Sequence, residues 1–172
     1  AALLADDMLA LLEEQIAIYE AKYEVTLERP VYLEVFEDHD EFMVRSVGLP
    51  GNAGHLGICF GQLITMDSPR ARPPGSTNWQ SVLWHEFVHV VTLQKTKNRM
   101  PRWLSEGISV YEETARNAAW GTPMSMEFKP IYLETPAPGL AELESYFTAP
   151  RSMQHLMYGD FSAGEFVTYY LE

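Results

Sequence analysis

Cysteine is nearly missing from this chain: Cys59 stands alone, so no internal disulfide can form and the fold has to rest on its packed core. Basic residues are scarce as well. Lysine and arginine number 12 against 24 acidic residues, a formal charge of −12 that repels nucleic acid and anionic membrane and leaves no basic stripe for phosphate contacts. Nor is there an apolar run long enough to span a bilayer. The opening Ala1-Ala2-Leu3-Leu4-Ala5 leads straight into Asp6 and Asp7, with Glu13 and Glu14 soon after, and lacks the basic start of an export signal. Internal repeats and low-complexity segments are absent too. The compartment stays open, and a secreted, periplasmic or cell-envelope parent fits equally well. The chain opens without methionine and stops at Tyr170-Leu171-Glu172 in mid-pattern, which predicts one domain, 1–172, cut from a longer protein with further domains.

What the chain does have is enough apolar material for one sizeable core, 47% of 172 residues. Leu4, Met8, Leu11, Leu12, Ile16, Tyr19 and Tyr23 recur at helical spacing, which predicts an amphipathic helix over 3–23. Pro30 introduces a strand from Val31 to Phe36, and 38–47 reads as a short helix with His39 exposed on it. A glycine-rich loop, 48–57, leads into a second strand over Ile58–Met66, where Cys59 is expected as a buried thiol. Proline-rich surface loops are expected at 69–76 and at Pro130–Pro138, with short helices from Leu140 and a final helix from about Tyr158. The class is α+β.

The chemistry concentrates in His85-Glu86-Phe87-Val88-His89. On a helix, His85 and His89 stack one turn apart on the same face, near enough to share a metal ion, while Glu86 sits about 100° round the axis. Neutral imidazole nitrogens bind Zn2+ at about 2.0 to 2.1 Å, and a neighbouring carboxylate can take a proton from activated water. Trp84, Phe87, Val88, Val90, Val91 and Leu93 give this helix an apolar surround, and Asn78 or Thr77 can cap its start. A catalytic zinc keeps three protein ligands and one open position, so a further donor is needed. Glu106, set among apolar residues in Trp103-Leu104-Ser105-Glu106-Gly107 behind Pro101, is a candidate, and Glu112 and Glu113 are alternatives.

His-Glu-Phe-Val-His followed by Trp-Leu-Ser-Glu-Gly resembles the gluzincin metallopeptidases, the group of thermolysin and the zinc aminopeptidases, and most of all the peptidase MA-like family. The resemblance runs from about Val31 to the end, with its specific part at 84–113. It implies a zincin-like α+β domain with a small mixed sheet, an active-site helix and C-terminal helices. It also implies Zn2+ ligands His85, His89 and Glu106, with Glu86 as general base, and a peptide or protein substrate. In gluzincins a strand before the zinc helix binds extended substrate by main-chain hydrogen bonds, which points to Gly61 and Gln62 as substrate contacts.

The chain also departs from the patterns it resembles. The segment 90–105 is slightly shorter than in the aminopeptidases, and Val110 stands where thermolysin-like enzymes carry an aspartate. Thr92 and Lys95 occupy the glycine and histidine positions of the metzincin pattern, which excludes that group. No Gly-x-Met-Glu-Asn segment holds a free amino terminus, which argues against exopeptidase action. Related enzymes stabilise the oxyanion with a tyrosine or histidine from a later helix. Here the aligned register puts Phe161 at that place, so Tyr158, one turn earlier, is the expected partner, with His155 as alternative. The expected activity is endopeptidase cleavage by activated water; its rival is a weak or inactive zincin-like binding or assembly module.

Overall fold

In the computed structural model, which describes residues 4–27, 30–50, 54–121, 124, 126, 128–134 and 136–172, the chain is α+β, with seven helices and one three-stranded sheet among those residues. It divides into two compact units, Ala1–Asn98 and Arg99–Glu172.

The first unit begins with α1 (Ala5–Lys22), which buries Met8, Leu12, Gln15 and Tyr19 along one stripe, as the 3–23 periodicity predicts. Strand β1 (Tyr32–Phe36) follows, then α2 (His39–Val47), whose start is capped by Asp38: its Oδ1 accepts the Glu41 N–H at 2.9 Å. Gly48, at φ 78°, ends α2 in the left-handed conformation. The expected strand over 58–66 is instead a hairpin, β2 (Gly57–Phe60) and β3 (Leu63–Asp67), turning at Gly61 and Gln62. Gly61 has φ 66°, which glycine adopts without strain at the first position of a two-residue turn.

Strand order is β1-β3-β2, with β3 parallel to β1 and antiparallel to β2, so the sheet is mixed and β2 and β1 are its edges. Ile64 and Met66 of central β3 are fully buried. Under the sheet runs α3 (Trp79–Thr96), capped by Asn78, which accepts the Gln80 N–H at 3.1 Å. Tyr19 of α1 packs edge-on to Trp84 at 5.7 Å, and Gln15 donates to the Trp84 carbonyl at 3.2 Å. His39, expected on the surface, is corrected: its Nδ1 lies 2.9 Å from the Asp67 carboxylate, which Arg72 also holds at 2.7 Å. Cys59 is likewise half-buried rather than buried.

The second unit is helical. Helix α4 (Arg102–Arg116) starts behind Pro101 and is capped from a distance: Glu144, on α6 (Leu140–Thr148), accepts the N–H groups of Arg102 and Trp103 at 3.2 and 3.0 Å. A carboxylate there answers both unpaired donors and the positive end of the helix dipole. Residues 130–134, expected as part of a loop from Pro130 to Pro138, belong to the short helix α5 (Phe128–Glu134), with Pro130 in its first turn where a missing N–H costs nothing. Helix α7 (Met153–Leu171), started by Ser152, lies closely on α4. A Cβ on Gly107 would fall 2.6 Å from the Ala163 carbonyl oxygen, and one on Gly164 would meet Val110 Cγ1 at 2.6 Å. These two glycines set how closely α4 and α7 approach.

Candidate metal centre

Helix α3 presents His85 and His89 one turn apart, their rings edge to face with centroids 4.8 Å apart. His89 is 6% exposed and His85 half-buried, so the pair sits at the margin of the core. Leu83, Trp84, Phe87, Val88, Val90 and Val91 are packed away around them, which fixes the register of the two imidazoles.

Glu86, 8% exposed, extends beneath the edge strand β2. A Cβ on Gly57 would stand 2.8 Å from Glu86 Cγ and 3.0 Å from its Oε1, so only glycine leaves room for the carboxylate at that point of the strand. Gly61 and Gln62 occupy the turn beyond β2. The Gln62 main chain accepts the Tyr32 N–H at 2.8 Å, and its side-chain amide donates to Gln94 at 2.9 Å.

In the second unit Glu106 is buried on α4, 7% exposed, and Arg102 one turn earlier reaches its Oε1 at 2.9 Å. A carboxylate accepts at both oxygens, so this ion pair and a cation are compatible on one side chain. Ser105, Ser109, Glu112 and Glu113 are also buried on α4. Among the described residues, His85, His89 and Glu106 are the group that could hold a metal ion, one ligand atom offered by each lying within 4.8 Å of the others. Glu112 and Glu113 are not in that group. Two imidazoles and one carboxylate suit a catalytic zinc, which takes three protein donors and keeps one position open.

Tyr158 is packed inside the second unit, 2% exposed, its ring 6.3 Å from Phe161 and 6.2 Å from Tyr146. His155 stacks on Tyr146 at 5.7 Å, with its Nδ1 buried and unbonded. Burial, helped by the Glu142 carboxylate that accepts the Tyr146 hydroxyl at 3.3 Å, raises the Tyr146 phenol above its ordinary value.

The sequence expectation covers the candidate ligands His85, His89 and Glu106 and the candidate base Glu86, but not Gly57, Arg102 or Glu144. Arg102 was signalled by its spacing, one helical turn before Glu106. Gly57 and Glu144 carry no local signal, because their partners lie far along the chain. No helix of the described residues is long and apolar enough to cross a membrane. No family model matches the chain, and neither a curated protein nor a solved structure does.

Proposed function

We propose that the chain is a zinc-dependent endopeptidase of zincin-like, gluzincin type. The observation that carries this reading is the donor group His85, His89 and Glu106, with Glu86 following the first histidine on the same helix. Bound Zn2+ supplies a Lewis acid that polarises the scissile carbonyl and lowers the pKa of water towards about 7. Glu86 takes the proton of the attacking water and delivers it to the departing amine as the C–N bond breaks. Burial keeps that carboxylate out of bulk water, and Gly57 leaves it room.

Extended substrate adds along β2, the sheet edge beside Glu86, with Gly61 and Gln62 at the end of that edge. Tyr158 is the phenol proposed to donate to the oxyanion, an arrangement that requires its hydroxyl to reach out of the ring cluster around it. A second reading, a weak or inactive zincin-like binding module, is favoured by that packing, since Tyr158 is then an ordinary core ring.

The test is metal content measured together with hydrolysis of a broad peptide library, with and without chelator. The expected result is one zinc per chain and chelator-sensitive cleavage. Glu86→Gln should keep its zinc and lose turnover by a factor of about 10^2 to 10^4. Metal bound with no cleavage of any peptide selects the binding module, and a Glu86→Gln protein that cleaves at the parent rate removes the assigned base.

A further inference from the structure

The other edge of the sheet, β1, is distant in order from the one next to Glu86, since β3 lies between them. Tyr32 donates its N–H to the Gln62 carbonyl at 2.8 Å, and the Phe36 carbonyl accepts from Ser68 N–H at 2.7 Å. Because main-chain groups alternate along a strand, Tyr32, Glu34 and Phe36 face β3, whereas Leu33 and Val35 turn their N–H and C=O outward. Among the described residues no strand pairs with that side. An edge of this kind is a template for another chain unless proline, lysine or a bulge blunts it, and Tyr32-Leu33-Glu34-Val35-Phe36 contains neither residue.

A groove of about 550 Å³ runs beside the same strand, lined by Glu34, Val35, Phe36, Glu37, Glu41 and Arg45. Of its three carboxylates Glu37 already has cationic neighbours, Arg70 among them, so the acidic excess rests on Glu34 and Glu41 against Arg45. A second copy of this chain would bring glutamates against glutamates, and like charges directly across a strand pair are unfavourable. A strand with lysine or arginine at alternate positions meets the opposite condition.

The geometry points to strand addition at β1: an extended, basic segment of a partner protein pairs with Leu33 and Val35, setting every second side chain beside Glu34 and the groove. The main chain supplies affinity and the acidic groove supplies selection. This surface does not depend on the zinc reading, because none of its residues belongs to the donor group.

The probe is a fluorescent peptide of alternating valine and lysine titrated into the whole chain, its integrity followed by mass spectrometry. Saturable binding that weakens with salt is expected, with slowed amide exchange at Leu33 and Val35. Val35→Pro removes an outward N–H that β3 does not use, so it should leave the fold intact and weaken binding about tenfold. Glu34→Lys, a surface change, should weaken it comparably, and an alternating valine and glutamate peptide should not bind. The proposal is overturned if both variants bind as the parent does, or if protection appears along Gly57–Phe60 instead. Dimerisation through β1 in sedimentation, without peptide, would overturn it in favour of a second copy.

Discussion

Helices α3 and α4 carry the candidate metal ligands, and they are held in place by opposite means. Helix α3 is buried over most of its middle, is capped by Asn78 next to it in sequence, and takes its register from buried Leu83, Trp84, Phe87 and Val91. Helix α4 instead buries a polar row, Ser105, Glu106, Ser109, Glu112 and Glu113, is capped by Glu144 from another helix, and is seated on α7 through two glycines. A pair of donors set one turn apart needs only helical periodicity and a greasy surround. A lone buried carboxylate needs its helix positioned by distant parts of the chain. The second arrangement should therefore fail under substitutions that the first has no counterpart for.

The largest effect is expected at the contact of α4 and α7. Gly107→Ala forces a methyl against the Ala163 carbonyl, a main-chain atom that cannot swing aside, so the second unit should lose about 3 kcal/mol of stability in chemical denaturation. A loss below about 0.5 kcal/mol would mean that α7 moves freely on α4. Gly57→Ala comes next and tests the α3 half. Its methyl would displace the Glu86 carboxylate, so bound zinc should be unchanged while kcat falls roughly 100-fold. Equal loss of metal and rate would show that the contact with β2 orders the histidines as well as the base.

The same contrast separates what can be read from the sequence and what cannot. Helices α1, α2 and α3 follow from apolar spacing, and α2 and α3 also from Asp38 and Asn78 at their starts, all within a turn or two of the residues they act on. The placement of His85, Glu86 and His89 on one helix is legible for that reason. The hairpin at 57–67 was hidden by a run of apolar residues that continues through both strands, although Gly61 was a usable turn signal. His39 is half-buried because Asp67, at the end of β3, and Arg72, in the loop after it, approach from far along the chain, and no pattern around residue 39 announces them. Pro130, expected to open a loop, is instead the tolerated first-turn proline of α5. The role of Gly107 lies in an α7 residue far along the chain, so the motif around Glu106 shows that a glycine is there without showing what it meets.

Caps offer a more even comparison. Asn78→Ala removes one side-chain acceptor from α3 and should cost about 1 kcal/mol. Glu144→Gln keeps the shape but takes the charge from a side chain that receives two N–H groups of α4, and a similar cost, about 1 kcal/mol, is expected. The two should differ in salt. Added salt should shrink the Glu144→Gln effect by screening the charge on the helix dipole and leave the Asn78→Ala effect nearly constant. Identical salt dependence would reduce Glu144 to a neutral hydrogen-bond acceptor.

The smallest effect concerns pH and belongs to the second unit alone. The Tyr146 phenol is raised by burial and by Glu142, so the folded state holds that proton more tightly than the unfolded chain does. Its contribution is fully present below the unfolded phenol's value, about 10, and is lost as pH climbs from there through the higher folded value. Unfolding midpoints should thus begin to fall above about pH 10, and Tyr146→Phe should flatten that part of the curve while leaving neutral-pH behaviour of α3 untouched. An ultraviolet titration of the phenols checks the assignment directly: one tyrosine titrating late in the parent should vanish in the variant. If the alkaline slope persists in Tyr146→Phe, the proton responsible resides elsewhere, and the ring stacked on His155 contributes to this unit by packing alone.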